Sequence, residues 1–359
     1  MNILYVTFSF NVGGIEKLLV DVMNTIADIK ENNVFLCVIN NSYDKNLLKS
    51  LNSNVKVILL NRPVSGRKLE FIIKYTRIIF QNKIDIIHCQ MENAVKFSIP
   101  AKILKPAVKI FTTVHDTKIY SSLKYYEVSI DKFFCNKIIA ISDSVKKEIL
   151  SRGVKEHKIV KIYNAVDIDK FSIKSCEAFD KRKIVIGNVA RLIPRKKGQD
   201  LLIKAVSRLK SKYPKIKCLF AGGGEEQDES INRLKVLCHS LNVEENIEFL
   251  GNVDDISGFL DKIDIFVLPS RYEGFGIALI EAMVKGIPCI ASNIDGPKEI
   301  INDDSLGLLF ESENIDDLTE KLEYRINSMN IDRNIIRKYV IKNFDIRFMV
   351  KRLLDLYVT

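Results

Sequence analysis

Ile263-Asp264-Ile265-Phe266-Val267-Leu268 runs into Pro269-Ser270-Arg271-Tyr272-Glu273-Gly274-Phe275-Gly276 and then into Ile277-Ala278-Leu279-Ile280-Glu281-Ala282-Met283. The first segment is short and nearly continuously apolar, as a strand covered on both faces must be. The second is a glycine-rich turn. The third opens an apolar helical run, and the spacing predicts a helix starting near Gly276 and covering Ala278 to Lys285. Strand, turn and helix in this order form one β-α unit, and its repetition along a chain predicts a parallel sheet sandwiched by helices.

The repetition is there. In the first half the strand candidates are Ile3 to Phe8, Val34 to Ile39, Lys56 to Leu60, Ile84 to His88, Lys109 to Val114 and Lys137 to Ile141. Helices are expected over Ile15 to Asp28 and Ser142 to Arg152, the latter opening on Ser142 as a cap. The alternation lapses around Tyr163 to Arg182. It then restarts with strands at Ile184 to Val189, Lys217 to Ala221, Ile247 to Leu250, Ile263 to Leu268 and Pro288 to Ser292. Helices are expected at Gln199 to Tyr213 and Glu229 to Leu241, and a long helical tail from Asp332. At 359 residues the chain exceeds the roughly 250 at which a single core stops growing. The expectation is two α/β domains, each a doubly wound parallel sheet, facing a central cleft. Residues 1–168 would form the first, 169–182 a linker and 183–344 the second, with a final helix at 345–359.

Bulk properties narrow the function. No apolar run reaches the roughly 18 residues of a membrane-spanning helix, and Met1 to Phe8 reads as a strand and not a secretory leader. The seven cysteines form no Cys-x-x-Cys pair, and Cys37, Cys89, Cys218 and Cys289 sit in apolar strand-like runs, which suits reduced thiols in a cytoplasmic protein. The net charge of +10 lies wholly in the first half: Met1 to Ser172 carries 26 Lys+Arg against 16 Asp+Glu, and the remainder balances at 29 against 29. The first half therefore favours anionic surfaces or phosphorylated substrates.

Three turns carry chemistry. Asn11-Val12-Gly13-Gly14-Ile15-Glu16 follows the first strand, and two glycines before a helix N-terminus let a phosphate approach the backbone. A tight βα turn would read the same way. It is not the Gly-x-Gly-x-x-Gly of dinucleotide enzymes, and the next strand ends in Asn40 and Asn41 where a ribose-binding acid would stand. Arg191 and Lys197 lie in Ala190-Arg191-Leu192-Ile193-Pro194-Arg195-Lys196-Lys197-Gly198, just past a strand, where converging cations suit a leaving diphosphate. Gly222-Gly223-Gly224 permits another close backbone approach. In the opening segment Glu273 sits in the turn and Glu281 on the first turns of the helix, so both carboxylates can accept hydrogen bonds from sugar or ribose hydroxyls beside uncapped helix amides. Of the four histidines, His115 ends a strand beside Asp116, where ligands bind; His88 reads as a core or rim residue, and His157 and His239 as bystanders.

Taken together these motifs resemble the GT-B glycosyltransferases of family 4, which retain configuration, over nearly the full chain. Glu273 and Glu281 match the E-x7-E motif, and Arg191 with Lys197-Gly198 the diphosphate-binding Arg and Lys-Gly. Gly13-Gly14 matches the N-terminal loop. Asp85-Ile86-Ile87-His88, Thr113-Val114-His115-Asp116, Ile141-Ser142, Asn164-Ala165-Val166-Asp167 and Gly296-x-x-Glu299 match further signatures. The resemblance implies that Arg191 and Lys197 neutralise the donor diphosphate, with Lys196 as the alternative to Lys197. Glu273 would bind the donor sugar, with backbone from Gly274, Phe275, Gly276 and Ile277 around it, and Glu281 the ribose. Gly223 and Val253 would approach the donor by their backbone, His115 would lie over the reacting sugar, and Gly14 would approach the phosphate. No metal and no cofactor are expected, since the nucleotide sugar is itself a substrate.

The expected activity is sugar transfer from a UDP- or GDP-sugar to a saccharide acceptor, lipid-linked, in surface polysaccharide or glycoconjugate assembly. Basic, aromatic stretches at Arg67 to Lys83 and Tyr120 to Lys137 would serve a peripheral station on the inner face of an anionic membrane, although the first also suits packing on the sheet. The alternatives are a nucleotide-sugar epimerase of the same fold and a basic nucleic-acid-binding protein. Against the second, no nucleic-acid module is present. Donor, acceptor, linkage and oligomeric state are not legible.

Overall fold

The computed structural model describes residues 1–63, 68–173, 180, 182–224, 229–329 and 331–359. The chain folds as two units. Met1–Ala165 joins Ile346–Thr359 in the first, and Val166–Asp345 makes the second.

The first unit is built on seven strands: β1 (Asn2–Thr7), β2 (Asn33–Asn40), β3 (Val55–Arg62), β4 (Ile86–Cys89), β5 (Lys109–Val114), β6 (Lys137–Ala140) and β7 (Ile159–Lys161). Their order is β3-β2-β1-β4-β5-β6-β7, all parallel. β1 lies at the centre, with Leu4 opposite Phe35 on one side and Ile87 on the other. Ile3, Leu4, Tyr5 and Val6 are fully buried, which explains their unbroken apolar run. The order reverses between β1 and β4. At such a point the loops leaving the two strands diverge to opposite faces and leave a crevice at their carboxyl ends.

The second unit repeats the plan with β8 (Val185–Val189), β9 (Lys217–Ala221), β10 (Ile247–Gly251), β11 (Ile265–Leu268), β12 (Cys289–Ser292) and β13 (Leu308–Phe310). The order is β10-β9-β8-β11-β12-β13, again all parallel, with its reversal between β8 and β11. The helix Gln199–Leu209 shows how sequence pattern becomes packing. Leu201, Leu202, Ala205, Val206 and Leu209 form one apolar stripe and join Ile186, Phe220 and Leu322 in the core. Each buried leucine or valine of the stripe contributes roughly 1.5–3 kcal/mol. Both sheets are thus Rossmann-like doubly wound layers.

Two details refine the sequence reading. The helical tail from Asp332 is two helices, Arg333–Phe344 and Ile346–Val358, the second corresponding to the final helix expected at 345–359. Asp345 breaks them with an extended backbone (φ −71°, ψ 132°), and Val166 N–H bonds the Phe344 carbonyl at 2.9 Å. The chain around 164–171, where the pattern lapses, is well packed, with Ile168 and Phe171 buried. Of the linker expected at 169–182, residues 174–179 and 181 lie outside the described residues, as does Arg67 of the first basic stretch.

The helix Ile346–Val358 packs on Gly14–Ala27 within the first unit. It delivers Tyr357, whose hydroxyl lies 2.6 Å from His88 Nδ1 and 3.0 Å from the Tyr5 hydroxyl. His88 Nε2 lies 2.7 Å from Thr113 Oγ1. His88 is therefore a satisfied core residue joining β1, β4, β5 and the last helix, and burial lowers its pKa to about 3.

Candidate active site

The reversal between β8 and β11 is where the second unit collects its polar side chains. β8 ends at Val189, and the chain turns through Arg191 into the short helix Pro194–Lys197; β11 ends at Leu268 and turns through Ser270 to Glu273. Lys197 Nζ reaches Glu273 Oε2 at 2.6 Å, with both side chains about 15% exposed (16% and 15%). Ser270 Oγ donates to the same carboxylate oxygen at 3.2 Å. Arg191 is exposed, and its carbonyl accepts from Gln199 Nε2 at 2.9 Å, which fixes the backbone of that turn.

The close approach of the two turns depends on Gly198. It has φ +66°, and a Cβ there would lie 1.8 Å from the Pro269 carbonyl oxygen. Gly276 plays a different part. At φ +109° it caps the helix Ile277–Val284 with no side-chain bond, so the first-turn amides beside Glu273 are not covered by a capping residue. Phe275 is 1% exposed and packs edge-on against Phe344, so its ring belongs to the core and only its backbone faces the turn. Glu281 lies one turn into this helix, partly exposed. The Gly223 amide is engaged, donating to Asn252 Oδ1 at 2.8 Å, next to the partly exposed Val253.

In the first unit His115 follows β5 and Gly14 opens the helix after β1. His115 Nε2 bonds Gln90 Oε1 at 2.8 Å. An amide oxygen only accepts, so Nε2 carries the proton and Nδ1 is left as an acceptor. Nδ1 is buried and has no partner among the described residues. Burial lowers the pKa of His115 to about 4, against the opposing charge of Asp116, so the ring is neutral at ordinary pH. His115 lines a cavity of about 30 Å³ with Gln90, Met91, Tyr120 and Asp131.

The sequence-read residues thus fall into two groups. Lys197 and Glu273 are in direct contact, with Gly274, Phe275, Gly276 and Ile277 in the same turn and Arg191 on the neighbouring one. His115 and Gly14 belong to the other unit. Sequence reading missed the supporting side chains Gln90, Ser270 and Asn252. No motif spacing marks them, and their roles emerge only from contacts between distant segments.

This geometry can be compared with known proteins. The family model "Glycosyltransferase Family 4" matches residues 12–170, and "Glycosyl transferases group 1" matches residues 169–342. Fold and family together define a glycosyltransferase, and the chain belongs to the GT-B enzymes of family 4/group 1. An uncharacterised glycosyltransferase of Haemophilus influenzae is 29% identical over 54% of this chain; the matched segment spans about half (52%) of that relative. The UDP-Gal:alpha-D-GlcNAc-diphosphoundecaprenol alpha-1,3-galactosyltransferase of Escherichia coli is 27% identical over 81% of this chain and 80% of its own length. The crystal structure of Anabaena Alr3699/HepE in complex with UDP-glucose has a TM-score of 0.85 at 19% identity, covering 99% of this chain and 98% of that one.

Proposed function

We propose that the protein is a retaining, metal-independent glycosyltransferase that moves a sugar from a UDP- or GDP-sugar to a lipid-linked saccharide acceptor in bacterial surface polysaccharide or glycoconjugate assembly. The observation that carries this reading is the Lys197–Glu273 contact at the carboxyl ends of β8 and β11. It sets a cation and a carboxylate side by side where a doubly wound sheet binds its ligand.

The chemistry follows from these groups. A nucleoside diphosphate leaves as an anion, and Lys197 with Arg191 supplies positive charge where that charge grows. The uncapped amides at the start of Ile277–Val284 add the positive end of a helix dipole. Glu273 accepts hydrogen bonds from donor sugar hydroxyls, and Glu281 from the ribose. In the first unit, His115, neutral with Nδ1 as acceptor, is suited to take a hydrogen bond from a sugar hydroxyl, and Gly14 at its helix N-terminus is suited to backbone contact with a phosphate. With cations supplied by side chains, departure of the diphosphate needs no divalent metal.

The relatives favour uridine. The Escherichia coli relative's name specifies UDP-Gal and a diphosphoundecaprenol acceptor, and the Anabaena structure holds UDP-glucose. The basic first half of the chain supports a lipid-linked acceptor, and with it a peripheral station on the inner face of the cytoplasmic membrane. Among the described residues no helix is long and apolar enough to cross a membrane.

The test is thermal-shift screening against UDP-, GDP- and CMP-sugars, followed by transfer to a polyprenyl-diphosphate sugar with the product's anomeric configuration read by NMR. A good donor raises Tm by mass action, and Glu281→Ala abolishes the rise. Absence of any nucleotide-sugar response, or an inverted product, would overturn the corresponding part of the reading.

A further inference from the structure

Arg271 takes none of the roles assigned above, yet every N–H of its guanidinium side is engaged. Nη1 donates to the Pro194 carbonyl at 2.6 Å and to Asp200 Oδ1 at 2.7 Å. Nη2 donates to Asp200 Oδ2 at 2.9 Å and to Glu313 Oε2 at 3.0 Å, and Nε bonds the other Glu313 oxygen. The side chain is 17% exposed. Its two acids hold its pKa above the ordinary arginine value.

We infer that Arg271 is a positioning residue for donor transfer: clamped between Asp200 and Glu313, it fixes the Pro194–Lys197 turn against the Ser270–Glu273 loop and thereby sets Lys197 and Glu273 in register. The inference rests on the donor-site reading of that pair.

Three relationships carry it. Arg271 N–H and Tyr272 N–H both donate to the Lys196 carbonyl, at 2.8 and 3.3 Å, so the backbone beside Glu273 is tied to the backbone beside Lys197. The guanidinium then grips the same segment at both ends, at Pro194 before Lys197 and at Asp200 just beyond Gly198. Glu313 reaches in from a third place, the turn before the helix Ile315–Asn327, and does so at φ +68°, a conformation that disfavours any side chain but glycine's. The fold tolerates that backbone while its carboxylate holds Arg271.

With its donors committed, Arg271 is not itself a phosphate ligand. Nor can lysine stand in for it, because a single ammonium lacks the planar fork that meets Asp200 in bidentate fashion. Loosening the clamp moves both working side chains at once, and misplacement of about 1 Å costs on the order of 100-fold in rate.

Steady-state kinetics, with donor and acceptor varied separately, and amide hydrogen exchange of the ligand-free protein test this together. Arg271→Ala and Arg271→Lys are expected to lower kcat/KM for the nucleotide sugar by about 10- to 100-fold, with the acceptor KM unchanged. Both should speed exchange at the Arg271 and Tyr272 amides, and millimolar guanidinium should restore part of the Arg271→Ala activity. Glu313→Gly relieves the left-handed backbone yet removes the carboxylate, so it should keep or raise Tm while still lowering kcat/KM for the donor. Wild-type donor kinetics with unchanged amide protection in Arg271→Ala would overturn the proposal; if that variant does not fold, wild-type kinetics and exchange in Glu313→Gly would do so. Failure of the wild type to turn over any nucleotide sugar would count against the proposed function, while the exchange experiment would still decide whether Arg271 holds the two loops.

Discussion

Lys197 Nζ and Glu273 Oε2 stand 2.6 Å apart, with the two side chains 16% and 15% exposed. In this state each neutralises the other, so the proposed role of Lys197 at the donor diphosphate requires that it leave Glu273 on binding. The two substitutions should therefore act in opposite directions on nucleotide affinity. Glu273→Gln releases Lys197 and should leave UDP binding equal or tighter, while turnover falls by at least about 100-fold. Lys197→Met leaves the carboxylate facing the phosphates and should weaken UDP about tenfold or more, on the order of 1.4 kcal/mol. Isothermal titration calorimetry with UDP decides the matter. Equal weakening in both variants would mean that the pair does not govern access to Lys197.

The turn that brings this pair together depends on Gly198, and the prediction there concerns stability. A methyl group would meet the Pro269 carbonyl at 1.8 Å on a backbone already at φ +66°. Gly198→Ala combines left-handed strain with a backbone clash that no rotamer relieves. A loss of about 3 kcal/mol or more is expected, seen as a large fall in the urea midpoint or as insoluble expression. Gly224→Ala is the control, since no atom of the described residues lies within 4 Å of a Cβ there. A wild-type midpoint for Gly198→Ala would show that the loop can retreat.

How much of this was legible beforehand follows from the physics of each feature. β5 and β9 are short runs of apolar and β-branched residues, each opened by a lysine, and Lys109–Val114 and Lys217–Ala221 match the sequence reading residue for residue. β7 and β13 are three residues each, too short for a period, and their place at the sheet edges is set by neighbours and not by local pattern. The site divides in the same way. Glu273 and Lys197 lie in motifs with local spacing, but their contact spans 76 positions and needed the fold. Arg271 was visible within the quoted turn, yet Asp200 and Glu313, 71 and 42 positions away, give it its meaning.

The membrane reading becomes specific on the helix Tyr125–Phe134. Tyr125, Tyr126 and Phe133 are 87%, 56% and 80% exposed and lie on one helical face. Exposed Lys124 precedes them, and Arg152 sits 5.2 Å from the Tyr125 ring. Aromatics beside cations suit an anionic interface. Co-sedimentation with vesicles containing phosphatidylglycerol should show binding that falls about tenfold in Tyr125→Ser/Phe133→Ser and declines with salt. Because both rings already face solvent, Tm should hold. Equal binding to neutral vesicles, or no effect of the double substitution, would remove this helix as the contact.

His88 supplies a pH dependence whose sign can be worked out. Burial lowers its pKa from 6.5 to about 3 in the fold, where its ring nitrogens meet Tyr357 and Thr113. The unfolded chain takes up a proton below pH 6.5 and the folded chain does not, so the unfolded state binds more protons and stability rises with pH. The contribution is complete above about pH 7 and is lost as pH falls from 6.5 toward 3. Between pH 6 and pH 5 His88 alone should remove about 1 kcal/mol, and His115, lowered to about 4, acts in the same direction. Urea denaturation at these two pH values measures the difference. His88→Gln keeps hydrogen-bonding groups but cannot titrate, so it should cost stability at pH 7 and shrink the pH 6-to-5 difference by about 1 kcal/mol. An undiminished difference would mean that His88 is already protonated in the folded core, with Tyr357 and Thr113 accepting from it.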